Sequence, residues 1–68
     1  MQAYKIVGMT CAHCVRAVTE AIQAADPAAS VTVDLASGEA RVSGGAAAPG
    51  RIVEAVAAEG YDAAPIPG

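Results

Sequence analysis

Cys11 and Cys14 are the two cysteines of this chain, and its single histidine, His13, lies between them. Thiolates are the softest ligands a protein offers, and soft ligands select soft ions such as Cu(I). Two thiols three positions apart, where a helix would begin, can converge on one ion with no other residue moving. A helix N-terminus also favours the thiolate, because its unpaired N–H groups and positive dipole end stabilise negative charge. Cys11, the more exposed position, is expected to ionise first and to be attacked first by an incoming thiol. His13 has two readings: an exposed polar residue of the first helical turn, or a neighbour of both sulfurs that adds a weak third ligand.

Other uses of such a pair meet objections. A structural zinc site needs four protein ligands, and Cys11, Cys14 and His13 supply at most three. A disulfide between near neighbours closes too small a loop to stabilise much. A c-type haem site needs His directly after the second Cys, where this chain has Val15. A thioredoxin-like redox pair follows a buried strand in a βαβ unit and has Trp or Pro nearby, which Thr10-Cys11-Ala12-His13-Cys14-Val15 lacks. The same flanks are too polar for a pair of core thiols.

The rest of the composition narrows the class further. Sixty-eight residues with a net charge of −3 argue for one small domain and against nucleic acid, whose ligands carry basic patches. Hydrophobic residues reach 54%, but Phe and Trp are absent, so a thin aliphatic core is expected. No apolar run approaches the roughly 18 residues of a membrane span, so no membrane insertion is expected. The start at Met1 shows no apolar leader, which, if Met1 is the natural start, implies the cytoplasm, where thiols stay reduced.

The elements that must position the pair follow from periodicity. Ala3 to Val7 is rich in strand formers, with Tyr4 and Ile6 on one face. Ala12 to Ala25 reads as a helix, with Cys14, Val18, Ala21, Ile22 and Ala25 recurring at spacings of three and four. Asp26-Pro27 stops it. Val31, Val33 and Leu35 alternate as a half-buried strand, Ala36-Ser37-Gly38 turns, and Ala40 and Val42 alternate in the partner strand. After a loop at Gly44 to Ala48, Pro49 opens a second helix carrying Ile52, Ala55, Val56 and Glu59, and Gly60 ends it. Tyr61 to Ile66 forms a last strand that its prolines confine to an edge. The order is β-α-β-β-α-β, an α+β fold with a four-stranded antiparallel sheet and two helices on one face.

Gly8-Met9-Thr10-Cys11-Ala12-His13-Cys14 after a first strand, with Gly60-Tyr61-Asp62 before the last, resembles the heavy-metal-associated domain, and most of all the bacterial copper chaperones. The resemblance covers nearly the whole chain and implies a single domain over residues 1–68 with a ferredoxin-like sandwich. It implies that Cys11 and Cys14 ligate Cu(I), that Met9 tucks under the loop into the core, and that Gly8 lets the backbone turn there. Tyr61 would face the site and reach a cysteine sulfur, and a His at position 13 leans toward a free-standing chaperone. Core packing is the alternative reading of both Met9 and Tyr61.

The expected function is Cu(I) delivery by exchange with the CxxC of a copper-transporting P-type ATPase, a transfer and not an enzymatic reaction. A Cu(I)-bridged homodimer, with His13 capping a coordination position, is a second expected assembly. Three alternatives remain within this fold: an N-terminal domain cut from a heavy-metal-transporting ATPase, a mercury carrier, and a zinc-binding protein. Thr10, where zinc and cadmium domains often place Asp, leans toward copper, leaving Zn(II) and Hg(II) as ions bound in vitro. An RNA-recognition domain shares the element order but needs sheet aromatics and a basic surface. A thiol oxidoreductase is the enzymatic alternative.

Overall fold

The structure, a computed structural model, describes residues 2–45 and 47–67. Tyr4 and Ile6 are buried while Lys5 and Val7 between and beyond them are exposed, so strand β1 (Gln2–Val7) has one covered face. Helix α1 (Ala12–Ala25) buries Val18 and Ile22 completely, one turn apart. It is followed by β2 (Ser30–Asp34), β3 (Glu39–Ser43), α2 (Pro49–Ala58) and β4 (Asp62–Ile66). The strands pair antiparallel in the order β2-β3-β1-β4. Tyr4, Ile6, Ala40 and Val42 from the central strands form one buried cluster with Val18 and Ile22 of α1 and Ile52 and Val56 of α2. Both helices therefore cover the same face, and Lys5, Val7 and Arg41 lie on the open one. This is the ferredoxin-like β-α-β-β-α-β arrangement that the periodicity and the resemblance imply.

Three joints tie the helices to the sheet. Asp26 ends α1, its N–H bonding the Ile22 carbonyl at 2.9 Å, and it is buried, with 6% exposed. Its carboxylate Oδ2 accepts the Ala47 N–H at 2.9 Å, which fastens the end of α1 to the approach of α2. Gly45 is compulsory beside it, because a β-carbon there would overlap the Asp26 carboxylate and crowd the Ala29 methyl at 2.8 Å. Pro49 opens α2 at its first turn, where its missing N–H costs nothing. The end of α2 is a Schellman cap: the Gly60 N–H bonds Ala57 O at 3.0 Å and the Tyr61 N–H bonds Val56 O at 3.4 Å.

Two expectations are corrected. Leu35 does not extend the alternation of β2; it enters a turn closed by the Gly38 N–H on Asp34 O at 2.9 Å and is 39% exposed. The last strand begins at Asp62 and leaves Tyr61 in the connection from α2. Pro65 sits on β4 at the sheet edge, opposite Tyr4. Of the expected loop at Gly44 to Ala48, Ala46 lies outside the described residues. Among the described residues no helix is long and apolar enough to cross a membrane.

Candidate metal centre

The register of the sheet builds the site. Val7, the last residue of β1, pairs with Asp62, the first of β4, so the loop leaving β1 and the residue entering β4 meet at one end of the sheet. Gly8 turns the chain out of β1 at φ +106°. Met9 then dips inward and packs on the buried cluster. Cys11 is the N-cap of α1, with extended backbone, and its carbonyl accepts the N–H groups of Cys14 at 3.0 Å and Val15 at 3.3 Å. Its side chain makes no capping hydrogen bond, so the sulfur is left for other use.

Cys11 Sγ and Cys14 Sγ lie 3.9 Å apart as free thiols, the first exposed and the second half-buried. A soft metal–thiolate bond of about 2.3 Å would put two opposed sulfurs about 4.6 Å apart, so near-linear two-coordination needs an opening of about 0.7 Å.

The surroundings treat the two sulfurs differently. Cys14 is held down to about 6 by the Thr10 backbone N–H first, then by the hydroxyls of Tyr61 and Thr10 and by the Cys11 backbone N–H, against a smaller opposing effect of burial. The Thr10 hydroxyl is 3.8 Å from Cys14 Sγ. Tyr61 is correspondingly raised, most strongly by its hydrogen bond to Cys14 and then by partial burial. Exposure had pointed to Cys11 as the first to ionise, but the donors converge on Cys14. Thr10 was legible only as the residue before the motif; its role as a donor depends on the loop folding back over the first turn of α1.

His13 is placed elsewhere. Successive helical side chains turn by about 100°, so residues three apart share a face while the residue between them points away. Cys11 and Cys14 are three apart; His13 is exposed and lines a shallow groove with Arg16, Ala17, Glu20, Ala21, Ala24 and Glu59. Among the described residues no third His, Cys, Asp or Glu gathers with the two sulfurs. The site is open and presents two free thiols.

The heavy-metal-associated domain matches residues 3–62 of the chain. Over 60 residues the chain is 45% identical to copper-transporting ATPase 1 of Rhizobium meliloti, a match that covers 87% of this chain and spans only 7% of that protein's length. Among solved structures, the N-terminal domain of PacS from Synechocystis superposes with a TM-score of 0.87 at 30% identity, covering 97% of this chain and 96% of that one. The copper chaperone Atx1 from Synechocystis superposes with a TM-score of 0.82 at 29% identity, covering 91% and 97%.

Proposed function

The chain belongs to the heavy-metal-associated domain family, and on that premise we propose that it binds one Cu(I) through the thiolates of Cys11 and Cys14 and hands it to a similar cysteine pair on a copper-transporting P-type ATPase. The observation that carries this reading is the pair itself: two sulfurs 3.9 Å apart at an exposed helix start, with no third ligand group among the described residues. An open two-thiol site suits transfer, whereas a four-ligand cage would retain its ion.

Exchange proceeds one thiolate at a time. An incoming partner thiol loses its proton and attacks the copper, giving a three-coordinate intermediate. One thiolate of this chain then departs and is reprotonated, and the step repeats at the other. Copper stays in the +1 state throughout, so no oxidant or reductant is consumed. The family is metal-binding and non-catalytic, which supports transfer over a thiol oxidoreductase activity. Free thiolates require reducing surroundings, which is why we place the protein in the cytoplasm.

The ATPase partner is supported by the likeness to a copper-transporting ATPase and to the PacS N-terminal domain. The same likeness supports a second reading, in which this chain is itself the metal-binding domain of a longer transporter. The test is titration of the reduced protein with Cu(I) against a competing chelator, alongside Zn(II) and Hg(II). Tight 1:1 Cu(I) binding abolished by Cys11→Ser plus Cys14→Ser is expected. Weak binding, binding indifferent to both substitutions, or a Zn(II) complex that survives excess Cu(I) would overturn the assignment. Sizing with one equivalent of Cu(I) reads the bridged homodimer, and sizing His13→Ser reads the part of His13 in it.

A further inference from the structure

β2 is an outer strand of the sheet, paired with β3 on one side and, among the described residues, with nothing on the other. The hydrogen bond from the Ile6 N–H to Gly38 O at 2.7 Å fixes which backbone groups face that open side. Ile6 directs its backbone toward β3, so Tyr4 does as well, and its partner Ala40 directs its own toward β1. Glu39 and Arg41, the neighbours of Ala40, then face β2 and bond Asp34 and Thr32. Val31 and Val33 are left with their N–H and C=O groups directed outward. Nothing in Ser30-Val31-Thr32-Val33-Asp34 guards that row, for the strand has no proline, no lysine and three β-branched residues.

We propose that β2 pairs antiparallel with β2 of a second copy of this chain, about a two-fold axis at Thr32, in the metal-free protein. The strand reads nearly the same in both directions, a symmetry that matches a second copy in an isologous pair. In the register centred on Thr32, Val31 lies opposite Val33 of the second copy and Val33 opposite its Val31, so the outward groups exchange hydrogen bonds at both pairs. Thr32 meets its own counterpart, and Ser30 faces the second copy's Asp34, a hydroxyl donor against a carboxylate. Ser30, Thr32 and Asp34 are all exposed. The two Asp34 carboxylates stay four residues apart along the strands, about 13 Å, beyond the screening length of physiological salt.

The helices leave room for this. α1 packs against β2 and α2 against β4, two helices over four strands. An eight-stranded sheet beneath four helices keeps that spacing, since two strands span about 9.6 Å and a helix about 10 Å. β2 runs in the direction of β1, so its Asp34 end lies at the end of the sheet that carries the cysteine loop. Antiparallel pairing therefore sends the two cysteine loops to opposite ends, where both stay open. Such a dimer is distinct from one bridged by copper and needs no metal. One strand pair covers less than the roughly 1,200 Å² of a standard interface, so the association is weak and concentrated protein is needed to see it.

Amide spectra of the metal-free, reduced protein over a dilution series read the pairing. The Val31 and Val33 signals are expected to shift with concentration, equally in wild type and in Cys11→Ser plus Cys14→Ser. Thr32→Glu stands beside Arg41 within one chain but sets like charges face to face on the axis, and it is expected to weaken the association at least tenfold. Thermal melting confirms that it folds. Cross-linking reads the register. In the Cys11→Ser/Cys14→Ser background, Thr32→Cys is expected to form an intermolecular disulfide under oxidised glutathione at least tenfold faster than Ser30→Cys or Asp34→Cys. The pair on the axis is the one without mutual hydrogen bonds, and it holds two α-carbons about 4.5 Å apart, within disulfide reach. Concentration-independent Val31 and Val33 signals, an association undiminished in Thr32→Glu, or equal cross-linking at the three positions would each overturn the proposal. So would shifts that appear only with Cu(I), which would assign the contact to the cysteine loop. If Thr32→Glu fails to fold, the cross-linking comparison decides alone.

Discussion

Cys14 should titrate near pH 6 in the metal-free, reduced protein. An ordinary thiol with a pKa of about 8.5 is about 3% thiolate at pH 7, whereas one at about 6 is about nine-tenths thiolate, roughly a 30-fold difference in the attacking species. Residue-resolved alkylation across pH 5 to 9, read as the midpoint for each cysteine because half-burial lowers Cys14's absolute rate, measures this. Tyr61→Phe should move the Cys14 midpoint upward. Thr10→Val should move it upward by less, because the Thr10 backbone N–H, the strongest donor, survives the substitution. The sign for stability follows from a folded-state value below the unfolded one. Above about pH 8.5 the contribution is fully present, it shrinks as pH falls toward 6, and below that it is gone. Stability of the metal-free protein should therefore rise with pH across that window, and Cys14→Ser should flatten the rise. A Cys14 midpoint at about 8.5, or one that ignores Tyr61→Phe, would refute the reasoning.

Three further outcomes test the scaffold. Ile22→Ala empties a fully buried position and should cost about 2–5 kcal/mol in urea unfolding, a large share of the roughly 3–10 kcal/mol typical of a chain this size. Gly45→Ala drives a methyl into the Asp26 carboxylate and should destabilise by about 1–3 kcal/mol through overpacking, with amide exchange at Ala47 accelerating as its hydrogen bond to Asp26 opens. Ser37→Ala removes a buried hydroxyl that has no hydrogen-bond partner, so its melting temperature should be unchanged or higher, and a clear loss would mean that the hydroxyl is satisfied in solution.

The helices were legible because apolar residues recur at helical spacing and are bounded by Asp26-Pro27, Pro49 and Gly60. Leu35 misled because alternation continues for one residue after hydrogen bonding has ended, and the bond that closes the turn belongs to Gly38. Asp26 read as a stop signal; its part as a clamp depends on Ala47, 21 positions later, a distance no local pattern spans. In the site, Cys11, Cys14 and Tyr61 could be singled out from the chain, and Met9 packs against the buried cluster. The difference between the two sulfurs could not be read, since it arises from where Thr10 and Tyr61 point. His13 shows the same limit: adjacency in sequence is not adjacency around a helix.

Pro65 has a consequence for how copies of this protein meet. The Ile6 N–H points toward β3, donating to Gly38 O at 2.7 Å, so Tyr4, two residues earlier, directs its backbone the same way. Its partner Pro65 therefore belongs to a pair without mutual hydrogen bonds, and its ring nitrogen faces the outer side of β4. A strand approaching that edge finds a ring where it needs a donor, which discourages sheet-to-sheet polymerisation. The cysteine loop lies at the end of the sheet and not along this edge, so encounters through the metal loop stay open while growth into fibres at β4 is disfavoured.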